Sequence, residues 1–183
     1  MMMLAFLVTV DNAVAGDTGF PVTESGIILG YGTGNIEGGH YEPLLLVWHI
    51  GFRLKEFSSE QSQDHNNIVT FYIESQINPV VNPESDVEFG ISAGLKYMHY
   101  LTNTVSAHLM ASFGPHWLTV NTESQAKGFV FSSTIGAGIS VFVTDNSAVS
   151  LGFRARHLSN ANLSKPNGGI ETCFGTIGYS IFF

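Results

Sequence analysis

Ile177-Gly178-Tyr179-Ser180-Ile181-Phe182-Phe183 closes the chain, and its reading decides the fold. Ile177, Tyr179, Ile181 and Phe183 fall on one side of an extended backbone, and Gly178, Ser180 and Phe182 on the other, the two-residue period of a β-strand. The period recurs upstream. Val105, Ala107, Leu109, Ala111 and Phe113 alternate with Ser106, His108, Met110, Ser112 and Gly114. Val87, Phe89, Ile91, Ala93, Leu95 and Tyr97 oppose Glu88, Gly90, Ser92, Gly94 and Lys96. Phe129, Phe131, Ile135, Ala137, Ile139, Val141 and Val143 oppose Ser132, Thr134, Gly136, Gly138 and Ser140. About eight such segments of roughly 9 to 14 residues can be marked, and helical spacing is sustained nowhere. A soluble sandwich would turn its polar face to water. Here that face is Gly and Ser with isolated charges (Glu74, Glu88, Lys96, Arg154), which suits the packed lumen of a small barrel.

Composition agrees. Charged residues are 12% of the chain, while Gly (20) and Phe (14) run high, a balance for a protein whose solvent is partly lipid. No stretch reaches the ~18 to 20 consecutive apolar residues of a spanning helix, so a membrane crossing has to be built from strands closed on themselves. The terminal alternation resembles the closing strand by which bacterial outer-membrane barrels are recognised for insertion. The expected fold is therefore all-β, an eight-stranded antiparallel transmembrane β-barrel of the outer membrane. Residues 1–15, with the apolar run Met1 to Val10 and the small residues Ala13-Val14-Ala15, read as the remnant of an export signal, and residues 16–183 as a single barrel domain. Asn82 to Asp86, Leu101 to Thr104 and Thr144 to Ser147 read as short turns. Lys55 to Asn67, Thr119 to Lys127 and Asn160 to Ile170 read as long loops, expected to gather on one rim with the turns on the other.

Several functions are excluded early. A net charge of −8 with only seven Lys and Arg argues against nucleic acid. A single cysteine, Cys173, leaves no disulfide framework and no Cys-based metal site. The remaining histidines, His40, His49, His65, His99, His108 and His116, lack paired metal-ligand spacing, so no metal or cofactor is expected.

The candidate chemistry lies at the end of the seventh strand. Val149, Leu151, Phe153, Ala155, His157 and Ser159 share a face opposite Ser150, Gly152, Arg154 and Arg156. An imidazole two residues from a hydroxyl on one face can serve as its general base. Counting back from Phe183 puts Tyr179, Gly175, Cys173 and Glu171 on the same outward side of the eighth strand. Glu171 then begins where His157 and Ser159 end, within cross-strand reach, as the carboxylate that orients the imidazole. Asn160, Asn162 and Asn167 offer amides for an oxyanion. On spacing alone, ordinary polar residues at a membrane rim, with Asn160 starting a turn, are the favoured reading, because His-x-Ser pairs are common.

Arg154-Ala155-Arg156-His157-Leu158-Ser159-Asn160-Ala161-Asn162-Leu163, followed by Pro166-Asn167-Gly168-Gly169-Ile170-Glu171, resembles the signature of the PagL family of lipid A 3-O-deacylases. The resemblance covers about 18 residues. It implies a barrel that hydrolyses the ester-linked 3-hydroxyacyl chain at position 3 of lipid A by a serine-esterase mechanism, without a metal. His157, Ser159 and Glu171 would be its catalytic residues, with the oxyanion contribution carried onto Asn160 and less directly onto Asn167. Lipid A within lipopolysaccharide would be the partner, the site would sit at the outer leaflet, and homodimerisation is left open. The alternative is a non-enzymatic structural or adhesin barrel, in which His157 and Ser159 are dispensable; a barrel acyltransferase is a third reading.

Two further features are read as scaffold. Gly90-Ile91-Ser92-Ala93-Gly94 matches the nucleophile-elbow pattern but lies inside a strand, with Ser92 facing the lumen and no histidine in step. Arg154 and Arg156 are expected to pair with lumen acids such as Glu74 or Glu88, because an unpaired charge there is costly. Lipid A phosphates are expected to meet loop residues such as Lys55 and Lys165.

Overall fold

The computed structural model describes residues 22–54 and 67–183, so the expected export-signal remnant at 1–15 and residues Lys55 and His65 lie outside the described residues. Eight strands follow in order: β1 (Val22–Ile36), β2 (Gly39–Arg53), β3 (Asn67–Asn82), β4 (Asp86–Tyr100), β5 (Val105–Leu118), β6 (Gly128–Thr144), β7 (Ser147–Ser159) and β8 (Ile170–Phe182). Each pairs antiparallel with the next, and β8 pairs back onto β1 from Glu24↔Phe182 to Thr33↔Cys173, closing the barrel. Closure leaves no free sheet edge, the condition for strands to cross lipid.

The alternation read from the sequence becomes the wall. Leu109, Ile135 and Leu151 are 60%, 65% and 64% exposed, part of an apolar outer surface that only lipid can cover. The inward set is polar and dry. Arg154 forms a two-pronged pair with Glu74 (2.8 and 2.9 Å) and Arg156 with Glu88 (2.6 and 2.9 Å), as the cost of an unpaired lumen charge requires. His49 joins Glu74, and Lys96 pairs with Glu24. Above the Glu88 layer, Tyr41, Val80, Leu118, Val120, Val130, Leu158 and Ile170 pack into an apolar plug near one rim. The lumen is therefore filled, and its role is to hold the strands in register.

The expected division of the rims is corrected by strand parity. In an up-and-down barrel, successive connections fall on opposite rims. The rim at the end of β7 carries the tight turn at Glu37 and Gly38 and the short turn 83–85, together with the long connections 119–127 and 160–169. The long connection from Leu54 to Asn67 belongs to the other rim, with both short turns 101–104 and 145–146 and the end of β8. Length sorted the loops wrongly because strand order sets the rim, and the β1–β2 turn on this rim is tight. Gly38, at φ +85°, provides the left-handed position there that a side chain would resist. The expected phosphate contact at Lys55 lies outside the described residues.

Candidate active site

In the β7–β8 register His157 stands directly opposite Glu171, and Leu158 opposite Ile170. Both His157 and Glu171 point outward, as counting back from Phe183 required, with the Glu171 side chain 77% exposed. His157 Nδ1 lies 2.5 Å from Glu171 Oε1. A carboxylate can only accept, so Nδ1 carries the proton and Nε2 presents its lone pair, the tautomer a general base needs. Gly169 backs the ring: at φ +78°, a β-carbon built on it would stand 2.7 Å from His157 Cε1.

Ser159 lies on the same face, two residues further along β7 and opposite Phe131 of β6. Among the described residues no hydrogen bond joins Ser159 to His157. The arrangement thus holds two members of the expected trio in contact and the third within one strand step. A second hydroxyl, Ser133, stands directly opposite His157 in the β6–β7 register and is exposed on the same wall. The sequence reading passed over Ser133, although strand alternation from Phe131 places it outward.

The two asparagines are already engaged. Asn160, one residue beyond Ser159, points inward and is fully buried. Its backbone N–H donates to Asn167 Oδ1 at 2.9 Å, and its Nδ2 donates to both the carbonyl (2.9 Å) and the hydroxyl (2.8 Å) of Ser164. Asn167 Nδ2 in turn donates to Asn162 Oδ1 at 3.2 Å. These bonds brace the 160–169 loop, which carries two consecutive left-handed residues, Ala161 at φ 52° and Asn162 at φ 64°. Such a conformation costs an alanine about 1 to 2 kcal/mol and persists only where the surroundings enforce it.

The 119–127 loop docks on this loop. Gln125 bridges Asn167 antiparallel, Gly168 N–H donates to Ser124 O at 2.6 Å, and Ala126 N–H donates to Pro166 O at 2.9 Å. Ser124 Oγ also accepts from Glu37 N–H at 2.9 Å, tying in the β1–β2 turn. The contact holds Gly168, and through it Gly169, against the imidazole. Sequence reading missed the docking, for which the only local signal is the pair Gly168-Gly169. On the same wall, Ala137, Ile139, Val141, Val149 and Leu151 line a shallow apolar hollow open to lipid. It begins at Ala137, roughly 14 Å from the level of His157, four residues at ~3.4 Å each along β6 from Ser133, too far for the chemistry but in line with it.

The expectation for Ser92 needs correction. It does face the lumen, but a histidine is in step: His116 of β5 places Nε2 3.1 Å from Ser92 Oγ, and its Nδ1 lies 3.0 Å from Glu88 Oε1. The Gly-x-Ser-x-Gly glycines make room for rings. A β-carbon on Gly90 would fall 2.2 Å from His116 Cδ2, and one on Gly94 2.7 Å from Tyr72 Cζ. Ser92, His116 and Glu88 are each at most 2% exposed, so no substrate reaches them. Of the other histidines, His49 is in the lumen network and His108 faces Ser140 there, and no group that could hold a metal occurs among the described residues.

The barrel is similar to solved outer-membrane structures. Neisserial surface protein A aligns with a TM-score of 0.65 at 14% identity, over 87% of this chain and 96% of that one. The outer membrane enzyme PagL aligns at 0.59 and 21% identity, over 87% and 99%. Ail, the attachment invasion locus protein of Yersinia pestis, aligns at 0.51 and 14%, over 88% and 99%. At these identities the likeness establishes the fold alone, and no curated relative matches the chain. A family model described as lipid A 3-O-deacylase (PagL) matches residues 42–180, from β2 to the closing strand and across the whole His157 to Glu171 segment. The chain therefore belongs to the PagL family of outer-membrane lipid A deacylases.

Proposed function

We propose that the protein hydrolyses the 3-O-linked 3-hydroxyacyl ester of lipid A, with Ser159 as nucleophile, His157 as general base and Glu171 as the carboxylate that orients it. The observation that carries this reading is the 2.5 Å contact of His157 Nδ1 with Glu171 on the lipid-facing wall. The rim it occupies bears the two longest described loops and lies opposite the end of β8, which suits the extracellular side of an outer-membrane barrel. Lipid A can then arrive by lateral diffusion, its acyl chains against the apolar wall and its esters at interface depth.

His157 Nε2 takes the Ser159 proton as Oγ attacks the ester carbonyl. Collapse of the tetrahedral intermediate breaks the bond to the glucosamine O3, which receives that proton from His157. Water, deprotonated in turn by His157, attacks the acyl-serine and releases the 3-hydroxy fatty acid, and Ser159 regains its proton. Glu171 stabilises the imidazolium formed in each half. We assign Asn160 and Asn167 to the oxyanion side of the site by bracing the 160–169 loop, since the donors of Asn160 are committed to Ser164 and Asn167.

The test is mass spectrometry of lipid A from cells expressing the inserted barrel. Wild type should remove one 3-hydroxyacyl chain, Ser159→Ala should remove none, and Ser133→Ala should behave as wild type. An unchanged wild-type spectrum refutes the activity and favours a non-enzymatic barrel. Loss of activity in Ser133→Ala with retention in Ser159→Ala would move the nucleophile to β6.

A further inference from the structure

The chain carries 15 acids and seven bases, and the fate of those seven is informative. Lys96, Arg154 and Arg156 are consumed in lumen pairs with Glu24, Glu74 and Glu88. Arg53 ends β2 at the far rim, and Lys55 follows it in the sequence. Lys127 and Lys165 remain, one from each of the two docked loops. Lys127 follows Ala126 and Lys165 precedes Pro166, the residues joined by the 2.9 Å hydrogen bond. The Gln125↔Asn167 pairing is antiparallel, so both lysines emerge at the same end of it.

Both are exposed, and neither has an acidic partner among the described residues. The acids of this rim are engaged elsewhere or lie on other turns. Glu123 leans over the β1–β2 turn, its Oε2 3.9 Å from a β-carbon built on Gly38, Asp86 is bonded to Thr119, Glu171 holds His157, and Glu37 and Glu84 sit on the β1–β2 and β3–β4 turns. Like charges brought together across paired backbones are destabilising unless something negative lies between them. The loop bearing Lys165 is also the one that joins Ser159 to Glu171, so an anion held there is fixed relative to the nucleophile.

We propose that Lys127 and Lys165 form a two-lysine clasp for the phosphate monoester of the glycolipid headgroup, and so determine which lipid A the enzyme selects. This rests on the deacylase reading. Lipid A carries a phosphate on the same glucosamine ring as the 3-O ester, so gripping it holds that ring beside Ser159. Two ammonium groups on an interfacial phosphate give charge-assisted hydrogen bonds that salt weakens.

The test measures binding of bisphosphorylated and dephosphorylated lipid A in detergent micelles to full-length Ser159→Ala protein, which does not turn over. Adding K127Q/K165Q should weaken binding of the phosphorylated lipid about tenfold or more at low salt, and K127R/K165R should preserve it. Dephosphorylated lipid A should bind both forms alike. R53Q/K55Q, with the same loss of charge outside the two docked loops, should bind as the parent does. Equal affinity of the parent for the two lipids, or equal weakening by R53Q/K55Q, overturns the clasp. Hydrolysis by the Ser159 protein is measured alongside. If both lipids are cleaved at equal rates the clasp falls and the deacylase stands, whereas selective binding without hydrolysis keeps the clasp and overturns the deacylase.

Discussion

Glu88→Gln is the sharpest test of the lumen. Glu88 is fully buried and accepts from Tyr41 Oη (2.8 Å), Asn78 Nδ2 (2.9 Å), His116 Nδ1 (3.0 Å) and both terminal nitrogens of Arg156 (2.6 and 2.9 Å). Glutamine keeps the shape but removes the charge. It also turns one acceptor oxygen into an amide donor aimed at donors. Arg156, itself 2% exposed, is left an uncompensated buried cation, and breaking a buried pair this way costs about 3 to 5 kcal/mol. Replacing both ends with apolar groups of similar size removes the stranded charge, so Glu88→Gln/Arg156→Met should recover most of the loss. Urea unfolding of the barrel refolded into lipid vesicles measures both. A cost below about 1 kcal/mol for the single variant would refute the dry, fully paired lumen, because it would mean that water reaches and solvates Arg156.

Three other outcomes follow from the same geometry. Gly169→Ala forces a side chain into a left-handed position at a cost of about 1 to 2 kcal/mol and presses on His157 Cε1; kcat for lipid A release should fall at least about tenfold while the barrel stays folded, and unchanged kcat would show that the imidazole works from another position. Leu151→Arg, near the middle of the outer face of β7, should cost about 2 to 4 kcal/mol in vesicle unfolding, whereas a surface facing water would tolerate it. Ser92→Ala strands His116 Nε2 and should cost about 1 to 3 kcal/mol of stability with lipid A deacylation intact; loss of deacylation in a stable barrel would make the lumen relay functional.

Much of the fold was legible because lipid and lumen impose opposite demands on successive residues. Ile177, Tyr179, Ile181 and Phe183 gave the parity of β8, parity gave the face of Glu171, and the shared rim of β7 and β8 gave its contact with His157. The same rule places Asn160 inward, one step from Ser159, where its donors brace the 160–169 loop. Parity says nothing about which residues of non-adjacent strands meet across the lumen or which loops dock. That Arg154 takes Glu74 and Arg156 takes Glu88 depends on barrel stagger, and the seating of Gln125 on Asn167 depends on the paths of two loops. The loops were assigned to rims by length, although only their order along the chain determines the rim.

The barrel brings a serine, a histidine and a glutamate together twice, and the contrast bears on the proposed mechanism. Inside, Ser92, His116 and Glu88 form an unbroken hydrogen-bonded chain, the better geometry of the two. The charge of Glu88 is spent there on Arg156, and the packed lumen admits no ester. Outside, His157 is held at one nitrogen only, Glu171 has no cation competing for it among the described residues, and Ser159 faces the phase in which the substrate is dissolved. A nucleophile must meet its electrophile. Under the proposed mechanism the looser outer set meets that condition, and the tighter inner set, sealed in the lumen, does not. Its hydrogen bonds serve to lock β4 against β5, and the wall they stiffen is the surface on which the outer set is displayed.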